Sequence, residues 1–292
     1  MTFQEGGNFE GGRVRTGGGR GKIAAGGGGL AALVVALVYM FSNGQVDLSG
    51  VTGGGSGAET TEGTIGDCTA EQANTDASCR LSATIQSLDA YWGPAVTTVG
   101  VTFAQPEVLS FNGAADTACG TASSSTGPFY CPPDATIYLD LGFFDELQSR
   151  FGAEGGPLAE EYVEAHEYGH HIQQITGVMD KAQRGGTGAE SDSVRVELQA
   201  DCYAGMWAGK AATTADPDTG VPFLDPITPQ TLEQALSAAQ AVGDDHIQAQ
   251  SGGGINPDTW THGSSEQRAR WFTTGYEQGT FEACDTFSAD EL

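Results

Sequence analysis

Apolar residues recur at helical spacing through much of this chain. Leu81, Ile85, Leu88 and Trp92 mark residues 69–92 as mostly helical, with the repeat turned toward a core. Val-, Ile- and Phe-rich runs at 99–103, 108–111, 127–131 and 136–141 read as short strands of a small sheet, and 143–150 as a short helix. Gly155-Gly156 then breaks the pattern, and Pro157 suits a first helical position, where its missing N–H costs nothing. Residues 158–176 contain no proline and stop at Gly177, which predicts a second long helix. A polar, glycine-rich loop leads to a third helix over 193–212. Thr228-Pro229 opens another that ends near Gly243, and Ser264 with Gln267 forms a capping box for the last. One run is apolar without periodicity, at residues 23–41.

The helix over 158–176 carries His166-Glu167-Tyr168-Gly169-His170, an H-E-x-x-H pattern. Residues four apart share one helix face, so both imidazoles can reach one metal ion while Glu167 sits to the side. Zn²⁺ is the usual metal for such a pair and the glutamate the usual base. Val163 and Gln173 lie on the same stripe, whereas His171 points elsewhere and reads as a polar supporting residue. A third ligand is needed. The longer signature with glycine at 173 and histidine at 176 is excluded by Gln173 and Thr176. Glu197 and Asp201 on the next helix are again four apart. Packed against the first helix, Glu197 would complete the site, and Asp201 would accept the free ring N–H of a ligand histidine. This set, His166, His170 and Glu197, resembles the gluzincin arrangement.

The 19 uncharged residues 23–41 are just long enough to span a bilayer. Arg13, Arg15, Arg20 and Lys22 precede them, and neither an A-x-A cleavage site nor a lipoprotein-type cysteine follows. The expectation is a glycine-rich cytoplasmic tail (1–22), a single-pass anchor (23–41), a flexible Gly/Thr/Ser linker (42–66) and an extracytoplasmic domain (67–292). Beyond the anchor remain 8 of the 12 basic and 36 of the 38 acidic residues, net −28, a surface that repels nucleic acid and anionic lipid. All six cysteines lie there, as expected of an oxidising compartment. The preferred pairing is Cys68–Cys79, Cys119–Cys131 and Cys202–Cys284, the last tying the second metal helix to the C-terminus. No C-x₂-C spacing supports a zinc–cysteine site. The loop with Asp216, Asp218 and Gly220 falls short of an EF-hand, and nucleotide-binding glycine motifs, Ser-His-Asp signatures and repeats are absent.

The order of further motifs is specific. Gly127-Pro128-Phe129-Tyr130-Cys131-Pro132, Ile137-Tyr138-Leu139-Asp140-Leu141, the histidine helix through His171, the run from Glu197 to Gly205, and Thr261-His262-Gly263-Ser264-Ser265-Glu266-Gln267-Arg268 together resemble the bacterial "putative neutral zinc metallopeptidase" family over residues 68–284. The resemblance implies an α+β, zincin-like fold, mostly helical with a small sheet, behind a transmembrane helix. It also implies a membrane-anchored zinc peptidase acting on peptide or protein substrates. Glu167 would take a proton from zinc-activated water, and His262, in the downstream histidine run, would donate to the oxyanion, with Tyr203 and Tyr168 as other candidate donors. His246 reads as a surface residue. Two other classes remain open on the same residues. One is a noncatalytic, zinc-stabilised envelope protein; the other is a zinc amidase acting on cell-wall peptide.

Overall fold

A computed structural model describes residues 3–17, 63–183, 185–252 and 254–292. The sheet at its centre has five strands. In chain order β1 is Asn8–Phe9, β2 Arg15–Gly17, β3 Gly63–Thr64 and β4 Cys68–Thr69; β5 is Glu107–Phe111, β6 Ala114–Thr117, β7 Gly120–Ser123, β8 Phe129–Cys131 and β9 Thr136–Asp140. The central order is β3-β2-β5-β9-β8, with β2, β5 and β9 parallel and the two outer strands antiparallel to their neighbours. Period-two alternation sorts the side chains. Val108, Ile137 and Leu139 face the helices and join the main core. Phe111, Phe129 and Tyr138 face outward into a second cluster under the β6–β7 hairpin. Phe129 and Tyr138 are register partners and stack at 5.0 Å. The Cys119–Cys131 disulfide staples that hairpin to the end of β8.

The helices are α1 (Ala70–Thr75), α2 (Ala77–Thr97), α3 (Phe143–Ser149), α4 (Pro157–Ile175), α5 (Val178–Lys181), α6 (Asp192–Ala211), α7 (Pro229–Ala241), α8 (Asp244–Gln250) and α9 (Ser265–Gln278). Helix α2 buries Leu81, Ile85, Leu88 and Trp92 completely, as their spacing predicts. Helix α4 is surrounded by α2, α6 and α7, and most of its length is buried. The capping box at Ser264 and Gln267 opens α9. The strand expected over 99–103 does not form. Helix α2 runs past Pro94 to Thr97, Gly100 turns the chain at φ 78°, and the following residues pair with no strand. The three disulfides are Cys68–Cys79, Cys119–Cys131 and Cys202–Cys284.

The N-terminal expectation needs correcting. The fold is α+β, and no helix among the described residues is long and apolar enough to cross a membrane; the expected anchor over 23–41 lies outside them. Residues 3–17, expected as part of a glycine-rich cytoplasmic tail, belong to the fold. Phe3, Phe9 and Val14 are buried, β1 pairs with β4, and β2 lies inside the sheet between β3 and β5. Arg13 forms an ion pair with Asp89 of α2 at 2.6 Å. A single crossing between Gly17 and Gly63 would put hydrogen-bonded strands on opposite sides of the bilayer, where no backbone pairing is possible. The segment expected as a linker likewise ends in β3.

Candidate metal centre and active-site cleft

Helix α4 starts as its sequence dictates, with Gly156 at φ 136° and Pro157 in the first turn. It presents His166, Glu167 and His170 into the interior, each no more than 6% exposed. Helix α6 starts where the Ser191 side chain accepts from the Val194 N–H, and it carries Glu197 and Asp201, both buried. The glycine inside the motif explains why the two helices meet so closely. A Cβ on Gly169 would lie 3.0 Å from the Ala200 carbonyl oxygen and 3.2 Å from its Cα. With hydrogen there instead, α6 approaches α4 at the level that brings Glu197 between the imidazoles.

His166 Nε2 is 3.1 Å from Glu197 Oε2, and His170 Nε2 is 3.5 Å from Glu197 Oε1. One ligand atom from each residue lies within 4.8 Å of the others. The opposite ring nitrogens face acceptors, His166 Nδ1 at 2.8 Å from Asp201 Oδ1 and His170 Nδ1 at 2.8 Å from Gln173 Oε1. With both Nδ1 atoms against acceptors, each ring in its neutral form would carry its hydrogen there and turn the Nε2 lone pair to a bound metal ion. Two imidazole Nε2 atoms and a carboxylate thus converge in a buried space, and Glu197 Oε1 receives no hydrogen bond. This donor set fits a divalent cation of the zinc type.

The charges around it are balanced by burial and pairing. Burial alone would deprotonate His166, yet Asp201 and Glu197 outweigh it and hold its pKa up at about 10. Burial brings His170 down to about 4. Glu197 stays below the usual carboxylate range because His170 and His166 outweigh its burial. Asp201 does so mainly through Arg268. Arg268 Nε and Nη2 donate to Asp201 at 2.9 and 3.0 Å, and the Tyr162 hydroxyl donates to Asp201 Oδ1 at 2.6 Å.

Glu167 and His262 face one cavity of about 90 Å³ beside this set. Burial pushes the Glu167 pKa up to about 7, and its Oε2 has no partner. The Tyr130 backbone of β8 lies beside the carboxylate and offsets a small part of that rise. Asp244 holds His262 from behind, with Oδ1 at 3.0 Å from Nδ1, while Oδ2 accepts the N–H groups of Thr261, His262 and Gly263. His262 Nε2, also unpartnered, points the other way. Burial lowers the His262 pKa, but Asp244 reverses that and raises it overall. Phe143, Phe151, Val163, Val242 and Ile247 make the cavity wall apolar, and Thr126, Gly127 and Pro128 lead from it to β8.

Six of the residues named from the sequence, His166, Glu167, His170, Glu197, Asp201 and His262, thus lie in one cluster. Tyr168 and Tyr203 do not join it. The Tyr168 hydroxyl donates to Asp89 on the far side of α4, and Tyr203 packs between Trp92 and Phe281. His171 faces Tyr130 and the Ala104 carbonyl. His246 is half-buried, its Nε2 at 2.8 Å from the Phe151 carbonyl. Sequence reasoning missed Tyr162, Asp244 and the ion-pairing role of Arg268. Tyr162 had a signal, four residues before His166 on the same stripe; Asp244 had none.

A family described as "Putative neutral zinc metallopeptidase" matches residues 3–287. Uncharacterized protein Rv2575 of Mycobacterium tuberculosis is 52% identical over 224 residues, 77% of this chain and 75% of its own. Uncharacterized protein YpfJ of Escherichia coli K12 is 38% identical over 273 residues, 91% of this chain and 88% of its own. No solved structure matches the chain.

Proposed function

The chain belongs to this zinc metallopeptidase family, and from that premise we propose that it hydrolyses peptide bonds, with His166, His170 and Glu197 holding the zinc ion. The ion, when bound, polarises a carbonyl and makes water a better acid. Glu167 is the general base. With a pKa near 7 and a free carboxylate oxygen, it can take a proton from water and return it to the leaving amine. His262 donates from Nε2 to the carbonyl oxygen as negative charge grows there, and Asp244 orients the ring and favours its protonated form. Asp201, itself held by Arg268 and Tyr162, fixes His166 with Nε2 toward the metal.

The substrate reading rests on β8. It is the outer strand of the sheet, unpaired on one side among the described residues, and it passes Glu167. An extended peptide can add to such an edge. Its side chain next to the bond cleaved would enter the apolar cavity. Three disulfides support an oxidising compartment as the working place.

The observation that carries the proposal is the pair of unpartnered buried atoms, Glu167 Oε2 and His262 Nε2, facing one cavity beside the converged ligands. A peptide-library digest of the full chain, with and without chelator and beside Glu167→Gln, tests it. Cleavage should vanish with chelator and fall at least ~10²-fold in the zinc-loaded variant. Equal turnover by wild type and Glu167→Gln would remove the base assignment. Full zinc loading with no cleavage by wild type would favour a noncatalytic zinc protein.

A further inference from the structure

Gln173 and Gln199 lie behind the metal ligands, and each bonds to a group that cannot change its role. Gln173 Nε2 donates to the Val196 carbonyl at 2.7 Å and to Gln199 Oε1 at 3.1 Å. Gln199 Nε2 donates to the Cys284 carbonyl at 2.9 Å. A backbone carbonyl only accepts. Turning the Gln199 amide over would set its oxygen against that of Cys284. Turning Gln173 over would set its oxygen against Val196 and Gln199 together. Gln173 is completely buried and Gln199 nearly so, so water cannot repair either arrangement.

The direction of the whole chain of bonds follows from those ends. Gln173 Oε1 must face His170 Nδ1, 2.8 Å away, and the ring must place its hydrogen there. We propose that Gln173 and Gln199 form a one-way hydrogen-bond relay, anchored on the Cys284 carbonyl, that positions His170 as its Nδ1–H tautomer with Nε2 turned to Glu197. The far end is tethered. Cys284 is fully buried and disulfide-bonded to Cys202, on the same helix as Glu197. The C-terminal segment therefore sets the orientation of a ligand more than 100 residues earlier in the chain. Both glutamines are positioning residues, acting through His170. The consequence for zinc affinity rests on the metal site proposed above; the tautomer does not.

The test begins with the zinc-free full chain labelled with ¹⁵N-histidine, His170 being assigned by the signal lost in His170→Gln. Two-bond ¹H–¹⁵N correlations should show protonated Nδ1 and unprotonated Nε2. The opposite tautomer in wild type overturns the relay, with no variant needed. Gln173→Leu and Gln199→Leu should each lose the single-tautomer signature and weaken zinc binding, measured by competition with a chelating dye, by about 10- to 100-fold. Both variants keeping the wild-type tautomer, with affinity within about twofold, would also overturn it. Should wild type show the expected tautomer but bind no zinc, the metal site is wrong and the relay stands. Should it bind zinc with His170 protonated on Nε2, the relay is wrong and the metal site stands.

Discussion

Glu167 and His262 approach the same cavity from different helical neighbourhoods, and their partners separate their roles. Glu167 is left with a free oxygen and a pKa raised to about 7, which suits a base. Asp244 raises the His262 pKa and so favours the protonated ring, which suits a donor. His262→Ala should therefore lower kcat by about 10²–10³-fold, with zinc stoichiometry and KM little changed. Asp244→Asn should produce a smaller loss of the same kind, because the ring stays but its protonated form is less favoured. A change confined to KM in either variant would assign His262 to substrate binding. His262 could be singled out in sequence only through the motif run around it. Asp244, 18 residues earlier, is an ordinary acidic residue until the chain folds back and its carboxylate receives three consecutive N–H groups.

Helices bring these residues together because glycines let backbones touch. Gly169 admits α6 to α4. On the other side of α6, a Cβ on Gly275 of α9 would overlap the Cys202 carbonyl, and one on Gly205 would overlap that of Phe272. That contact carries Arg268 to Asp201 and thereby braces His166. Gly275→Ala should push α9 outward and lower stability by about 1–3 kcal/mol or more, read as a shift in denaturant midpoint. Gly254→Ala, where nothing lies within 4 Å of the added carbon, serves as the control. Equal midpoints for the two would mean α9 packs differently. Helix positions were legible because period, Pro157, the Thr228-Pro229 start and the capping box are local signals. The contact through Gly205 and Gly275 was not, since glycine spacing alone does not say which helix comes close.

At the scale of the molecule, α4 buries more carboxyl groups than its chemistry uses. Glu161 and Glu164 are completely buried, and none of their four carboxylate oxygens has a hydrogen-bond partner. Arg80 is engaged with Glu160. Burial raises both pKa values, Glu161 to about 7 and Glu164 well above the usual range. Below the ordinary glutamate value of 4.5, folded and unfolded chains both carry the Glu161 proton. Above it the unfolded chain ionises first, so the fold loses stability as pH rises until about pH 7, where the folded group ionises too. The loss is about 2–4 kcal/mol. Glu161→Gln should flatten this part of the curve of unfolding free energy against pH, and an unaltered slope would mean that Glu161 is solvated in the fold.

The sequence by itself determined what depends on neighbours along the chain: the histidine pair on one helix face, Glu167 between them, the Glu197/Asp201 spacing, and most helix limits. For the cysteines the sequence supported only a preference among fifteen pairings, and the folded chain holds the preferred one. Only the tertiary structure decided what depends on separated segments meeting. It put residues 3–17 into the fold and Arg15–Gly17 into the sheet, overturning the expectation of a tail before a single membrane crossing, because hydrophobic periodicity cannot reveal that a three-residue strand finds a partner about 90 residues away. It brought Asp244, Tyr162 and Arg268 to the site, and it set Gln173 and Gln199 between His170 and the Cys284 carbonyl, because a hydrogen bond's direction is set by the groups at its far ends.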